Sequence, residues 1–152
     1  MNLVQMHAFG EAMRAGDADA ASKVLRGLQV INDRLGLGVV RWDEDSIVLT
    51  MELSKEFEGN TEGGVHGGIL ATFADIASGM ALHSLFNATS IPVTTDMHVR
   101  YYRQPRVGPL TADAKVVHRG RQLLSTECRV EDAQNRELAR ITATYMLVPF
   151  NG

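Results

Sequence analysis

One acidic side chain in an otherwise uncharged stretch is the first candidate for chemistry in this 152-residue chain. Asp75 is the only charged residue between Glu62 and Asp96, and it lies in a segment whose apolar pattern is typical of a buried helix. Burying an unpaired carboxylate is costly, or else raises its pKa. The residue is therefore either functional or held by backbone or hydroxyl donors. Its chemistry alone leaves both interpretations open.

The second candidate is the glycine-rich run just before that helix, residues 63–68 (Gly-Gly-Val-His-Gly-Gly). The start of a helix offers free backbone N–H groups, and its dipole favours negative charge. Such a start suits a phosphate or a developing oxyanion. It is not a Walker A loop, because no Lys-Ser or Lys-Thr pair follows, and it lacks the strand–helix–strand context of a dinucleotide site.

The spacing of the two candidates has a structural consequence. Gly67 and Asp75 are eight residues apart, which is about 12 Å along a helix that rises ~1.5 Å per residue. One chain cannot easily bring both to the same carbonyl carbon. If they act together, the helix start of one subunit must face Asp75 of another. The spacing therefore predicts a dimer with two equivalent sites related by a twofold axis.

The remaining elements show how this helix is positioned. Residues 3–35 have helical spacing, with Asp17 as an expected N-cap, and a polar loop over 54–65 leads to a long helix from His66 or Gly67 to Phe86. Strands are predicted at 37–42, 46–53, 93–102, 110–118, 123–131 and 137–148. This order indicates an α+β protein, a curved antiparallel sheet around one apolar helix. Residues 1–35 form an N-terminal helical extension and 36–152 the main part of a single domain.

Composition excludes several functional classes. A net charge of −3 argues against nucleic acid as a partner. Cys128 is the only cysteine, so no intrachain disulfide or cysteine-rich metal site is possible, and it is expected to be a small core residue. The histidines show no metal-ligand spacing, and no metal or cofactor is expected. Residues 1–15 lack the pattern of a secretory signal, and no apolar stretch could span a membrane, so we expect a soluble cytoplasmic protein.

Several segments together resemble one known family. Residues 60–68, followed by Ala74-Asp75, then 94–97 and 102–105, resemble the signature of PaaI-like hotdog acyl-CoA thioesterases, within the 4-hydroxybenzoyl-CoA thioesterase-like superfamily. The resemblance covers about residues 30–148. It implies the hotdog fold, a long central helix wrapped by a curved antiparallel sheet. It also implies an acyl-CoA substrate, no cofactor, and a homo-oligomer that is at least a dimer and in this family a tetramer built from two dimers.

The resemblance also implies roles for individual residues. The Gly67 N–H would polarise the thioester carbonyl, and Asn60 would position the substrate or the attacking water. Asp75 of the neighbouring subunit would be the nucleophile or the general base. Thr94 falls where relatives carry a hydroxyl that orients water. The motif residues His66 and Gly68 are assigned to substrate binding, with the His66 side chain as a structural hydrogen-bonding group.

Arginines near strand ends are the candidates for the phosphates of CoA, because a guanidinium binds phosphate through two parallel hydrogen bonds. The four are Arg103, Arg106, Arg119 and Arg121. For any one of them, the alternative is ordinary solvated surface charge.

Two other functions remain open. A hotdog hydratase or dehydratase acting on acyl thioesters would carry a histidine paired with a carboxylate in a distinctive loop, which this sequence lacks. A non-catalytic acyl-CoA-binding protein of the same fold is the second alternative. Asp75 and Asn60 favour hydrolysis over binding alone. The acyl group depends on the shape of the pocket, which the sequence leaves open.

Overall fold

The N-terminal extension consists of three helices in the computed structural model, which describes residues 3–59, 64–86, 90–106 and 108–149. They are α1 (Leu3–Arg14), α2 (Ala18–Leu28) and α3 (Val30–Arg34). Asp17 caps α2 as predicted, accepting a 2.9 Å hydrogen bond from the N–H of Ala20. Gly36 follows α3 with φ +60°, a left-handed conformation that glycine adopts readily at a helix end.

The central helix is α4 (Gly67–Ala81), and it is shorter than predicted. The prediction extended it to Phe86, but a 3-10 turn at His83–Leu85 replaces the last stretch. The cause is a tightening of the backbone, since the N–H of Leu82 bonds to the carbonyl of Gly79, three residues back. The His83 ring then bonds to the Met80 carbonyl at 3.0 Å. No helix in the described part of the chain is long and apolar enough to cross a membrane.

Six antiparallel strands form one sheet in the order β1-β2-β4-β5-β6-β3. Their bounds are β1 (Gly38–Asp43), β2 (Ser46–Met51), β3 (Ser90–Tyr101), β4 (Leu110–Arg119), β5 (Leu123–Glu131) and β6 (Glu137–Pro149). β3 begins before Pro92, where the prediction had it begin after that residue. Proline is tolerated there because β3 is an edge strand, on which a missing N–H need not break a ladder.

The core lies between one face of this sheet and α4, which contacts β2 through β6. Along the strands, buried and exposed side chains alternate, so that one face covers the helix. The extension shares this core, since Phe9, Leu25 and Leu35 belong to the same cluster of buried residues as Phe73 of α4. A 2.7 Å hydrogen bond from the N–H of Val39 to the Ser22 hydroxyl joins α2 to β1. The N-terminal helices are thus packed into the domain.

A buried hydroxyl on β5 gives a stability prediction. Thr126 is 1% exposed, and its Oγ1 has no hydrogen-bond partner among the described residues. Thr126→Val keeps the shape and removes the unsatisfied group, so we expect the free energy of unfolding to rise by ~1 kcal/mol. Urea denaturation measures the change. The control is Thr142→Val on the exposed face of β6, which should change stability by less than ~0.5 kcal/mol. Destabilisation by Thr126→Val alone would show that the hydroxyl has a partner.

Candidate active site

The start of α4 is organised by His66, which immediately precedes the helix. Its ring Nδ1 accepts a 3.0 Å hydrogen bond from the Gly68 N–H, and its backbone carbonyl accepts from the N–H of Ile69 at 2.9 Å. His66 is therefore the N-cap of α4. This is the kind of structural hydrogen bond expected for its side chain.

One donor at this helix start is left over. The N–H groups of Gly68, Ile69 and Leu70 are all engaged by His66, whereas the Gly67 N–H has no partner among the described residues. The Gly67 carbonyl accepts a 2.9 Å hydrogen bond from the Tyr101 hydroxyl at the end of β3. A side chain at position 67 would come within 3.4 Å of the Tyr101 ring. Gly67 is thus anchored to β3, and its N–H, which bonds to no described residue, lies at the positive end of the helix dipole.

Asp75 lies in the middle of α4, partly buried and facing β3 and β6. Its Oδ1 accepts hydrogen bonds from Thr94 Oγ1 at 3.0 Å and from the Tyr145 hydroxyl at 3.3 Å. The Tyr145 hydroxyl is also 3.3 Å from the Asp75 backbone carbonyl. No described residue bonds to Oδ2. Among the described residues, the carboxylate is therefore held on one oxygen only. The two interpretations of Asp75, held by hydroxyls or functional, are thus compatible.

Tyr145 is absent from the predicted site residues, although the structure places it in contact with Asp75. It is 2% exposed and pairs directly with Thr94 across β6 and β3. Burial first, and then the negative charge of Asp75, raise the pKa of Tyr145 well above its ordinary value, against the opposing influence of the Thr94 and Ser78 hydroxyls. One signal was available in the sequence, because a tyrosine at an inward position of a strand needs a hydrogen-bond partner.

The two candidate groups are fastened to different ends of the same strand. Thr94, near the start of β3, bonds to Asp75, and Tyr101, at the end of β3, bonds to Gly67. The structure thus brings Thr94 to Asp75 within one chain, but Gly67 lies eight residues away from Asp75 along α4. Asn60, the other predicted catalytic residue, lies outside the described residues.

The four arginines fall into two pairs at opposite ends of the sheet. Arg103 and Arg106 follow the Tyr101 end of β3. Arg119 ends β4, in register with Tyr145 and Thr94, and Arg121 lies in the turn between β4 and β5. The sheet therefore keeps the two pairs apart within one chain.

The surroundings of the four arginines also differ. Arg119 donates to the Asp45 carboxylate and to the Ser84 hydroxyl, so its charge is already balanced. Arg103 donates to the Glu137 carbonyl at 2.8 Å. Arg106 and Arg121 are exposed, with no ion pair in the described part of the chain.

Other reactive groups are placed away from this site. Cys128 is buried as predicted, and burial raises the pKa of its thiol to about 12, which leaves it unreactive. Among the described residues, no group of histidine, cysteine and carboxylate side chains could hold a metal ion. A cavity of about 870 Å³ lies between α1, residues 42–44 and the 3-10 turn after α4, and none of the predicted site residues that the structure describes lines it.

Comparisons with known proteins agree with the element order. A family model described as the thioesterase superfamily matches residues 62–139. A solved protein from the thioesterase superfamily is 30% identical, with a TM-score of 0.75, and the match covers 92% of this chain and 98% of that one. A Saccharolobus solfataricus protein described as a candidate esterase is 24% identical over 130 residues, covering 85% of this chain and 91% of that protein. A Streptococcus mutans protein, solved bound to acetyl CoA, is 23% identical with a TM-score of 0.66, covering 75% and 90%.

The antiparallel sheet around one central helix is therefore the hotdog fold, as the resemblance predicted. The candidate centre of this chain consists of the Gly67 N–H, which has no partner in the described part of the chain, and the Asp75 carboxylate on the same helix. This chain belongs to the thioesterase superfamily.

Proposed function

We propose that this protein is an acyl-CoA thioesterase, which hydrolyses a thioester to a carboxylic acid and free CoA. The observation that carries the proposal is the Gly67 N–H at the start of α4, which has no partner among the described residues. It lies on the same helix as the Asp75 carboxylate, whose Oδ2 bonds to no described residue. An oxyanion donor and an ionisable carboxylate are the two groups that acyl transfer to water requires. The bound acetyl CoA of the Streptococcus mutans protein supports the choice of CoA thioesters.

The site is proposed to be shared between two subunits. β3 is a twelve-residue strand on the edge of the sheet, and the side chains of residues 93–96 are exposed. A strand edge that no other described strand covers is a template for pairing with another strand. Antiparallel pairing with β3 of a second copy would place the Thr94 end of one strand beside the Tyr101 end of the other. Asp75 of one subunit would then face Gly67 of the second, as the eight-residue spacing of the two residues along one helix requires.

Charge favours one register for that pairing. Asp96, His98 and Arg100 alternate with the inward-facing residues of β3 and are exposed. A twofold axis at His98 sets Asp96 of one strand opposite Arg100 of the other, and opposite charges across a strand pair are favourable. The two neighbouring registers that keep the same side chains on the same face of the sheet would instead place His98 opposite Asp96 or opposite Arg100. The favoured register would also bring the two half-sites together.

The chemistry has two balanced routes. As nucleophile, Asp75 attacks the carbonyl carbon, the C–S bond breaks, CoA thiolate leaves and is protonated by solvent, and water hydrolyses the resulting anhydride. As general base, Asp75 takes a proton from a water whose oxygen attacks the same carbon, and the proton passes to the departing thiolate. In both routes the Gly67 N–H holds the oxyanion, Thr94 orients the carboxylate or the water, and Asn60 positions the substrate. Transfer of ¹⁸O from labelled water into Asp75 would identify the nucleophile route.

The test is thiol release from a panel of CoA thioesters carrying short, long and aromatic acyl groups. We expect turnover of at least one member, and slower turnover of the same acyl group on N-acetylcysteamine, which lacks the CoA nucleotide. Equal rates on both thiols would count against CoA recognition. Binding of acyl-CoA without release would indicate the non-catalytic alternative, and consumption of an enoyl-CoA without release of thiol would indicate the hydratase.

Removing one N–H tests the oxyanion donor. Proline is favourable at the first position of a helix, and His66 has ψ 132°, the extended conformation that a residue before proline requires. Gly67→Pro should therefore fold while losing only the donor, and kcat should fall ~10²–10³-fold. Gly67→Ala is the control, because it adds a similar carbon but keeps the N–H. An equal loss in both variants would point to crowding against Tyr101 rather than to the missing donor.

The arginines and the higher assembly complete the proposal. Arg106 and Arg121 are the stronger candidates for CoA phosphates, because Arg119 already bonds to Asp45 and Arg103 to a backbone carbonyl.

A tetramer formed from two dimers follows from the family resemblance. Sedimentation velocity distinguishes it from the dimer that the shared site requires.

A further inference from the structure

We infer that Tyr145 is a positioning residue that, together with Thr94, holds Oδ1 of Asp75 and leaves Oδ2 as the oxygen that reacts. The inference rests on the proposed function, because it concerns the orientation of the same carboxylate. It adds a residue that no motif in the sequence marks.

Two hydrogen bonds, from Thr94 and Tyr145, hold the same oxygen of Asp75, and this pair of bonds is called the clamp. Thr94 Oγ1 is 3.0 Å from Oδ1 and the Tyr145 hydroxyl is 3.3 Å from the same atom. The two donors come from neighbouring strands and are directly paired in the sheet. Rotation of the carboxylate about its last bond would break both hydrogen bonds. The oxygen without a described partner, Oδ2, is thus presented in a fixed direction.

Tyr145 is suited to remain a donor. Its side chain is buried in a small cluster with Leu82, Leu124 and Ala143, which fixes the ring. Burial and the charge of Asp75 keep the phenol protonated, since both raise its pKa. A protonated phenol beside a carboxylate can only donate to it, and its one proton is shared between Oδ1 and the Asp75 backbone carbonyl, each 3.3 Å from the hydroxyl oxygen.

The arrangement predicts a specific split in the kinetic constants. Tyr145→Phe keeps the ring and its packing but removes the donor. A hydrogen bond to a charged group corresponds to a change of roughly 10- to 100-fold in rate, so kcat should fall by that factor. KM should stay within about twofold, because the hydroxyl orients Asp75 and does not touch substrate. If both donors hold the same oxygen, Thr94→Val should lower kcat by a smaller factor in the Tyr145→Phe variant than in the wild type.

The matched control is Thr142→Val, which removes a hydroxyl from the exposed face of β6, outside the clamp, and should leave kcat and KM unchanged. Melting temperatures of all variants are measured in parallel. A lowered melting temperature with wild-type kcat in Tyr145→Phe would assign Tyr145 a structural role only and overturn the inference. If wild type hydrolyses acyl-CoA and Asp75→Asn does not, that outcome leaves the proposed function standing. If wild type hydrolyses no thioester, the proposed function fails, and this inference with it.

Discussion

Asp75→Asn should lower kcat for acyl-CoA hydrolysis by ~10³-fold or more, because it removes the group that attacks the carbonyl carbon or takes the proton from water. Asparagine has nearly the same size, and its amide oxygen can still accept from Thr94 and Tyr145 at the position of Oδ1. The substitution therefore changes the reactive oxygen while leaving the clamp in place. Steady-state kinetics on the best substrate of the acyl-CoA panel measures the loss.

Two controls make this result interpretable. The melting temperature should change little, since the hydrogen bonds to Oδ1 are retained. Asp113→Asn, which removes the surface carboxylate that pairs with Arg41 at 2.9 Å, should keep wild-type kcat. Wild-type turnover in Asp75→Asn would exclude Asp75 from the reaction and leave only the interpretation of a carboxylate held for structural reasons.

Mixed dimers of two inactive variants should recover activity. A subunit with Asp75→Asn still offers the Gly67 donor, and a subunit with Gly67→Pro still offers Asp75. In a shared arrangement, each mixed dimer has one complete site and one with neither group. With equal mixing, half of the dimers are mixed, so ~25% of wild-type activity should return, a rise of at least tenfold over either variant alone.

Subunit exchange must be verified independently, for example by native mass spectrometry of differently tagged subunits. Mixing either variant with itself provides the baseline. Verified mixed dimers without recovered activity would contradict the shared site, because a site within one chain cannot be completed by a partner. That outcome would also remove the reason for the proposed pairing of β3.

Local pattern was enough to predict most of the fold. Alternating burial in β4 and β5 follows from their sequences, and the apolar run from Ile69 to Met80 required cover on several sides, which the sheet provides. The boundaries that were wrong depend on contacts that a pattern does not contain. The end of α4 was misplaced because the backbone tightens at Leu82, and the start of β3 because its edge position makes Pro92 harmless.

The candidate site was partly predictable for a similar reason. Gly67, Asp75 and their helical spacing are local features, so the sequence contains them directly. Tyr145 and Tyr101 reach these residues across 70 and 34 positions of the chain. Such contacts depend on the register of β6 against β3, which a single sequence does not show. Arg119 was predicted as a candidate for the phosphates of CoA, but the structure pairs it with Asp45. That contact depends on the neighbouring β1–β2 turn, which the local sequence around Arg119 does not show.

The edge position of β3 also exposes the proposed enzyme to a form of inhibition that does not involve its substrate pocket. If both halves of the site meet only when two β3 strands pair, a short extended peptide that adds to that edge as an extra strand would separate them. Such a peptide would compete with the second subunit rather than with acyl-CoA. Its potency would therefore fall as the protein concentration rises and would be independent of the concentration of thioester.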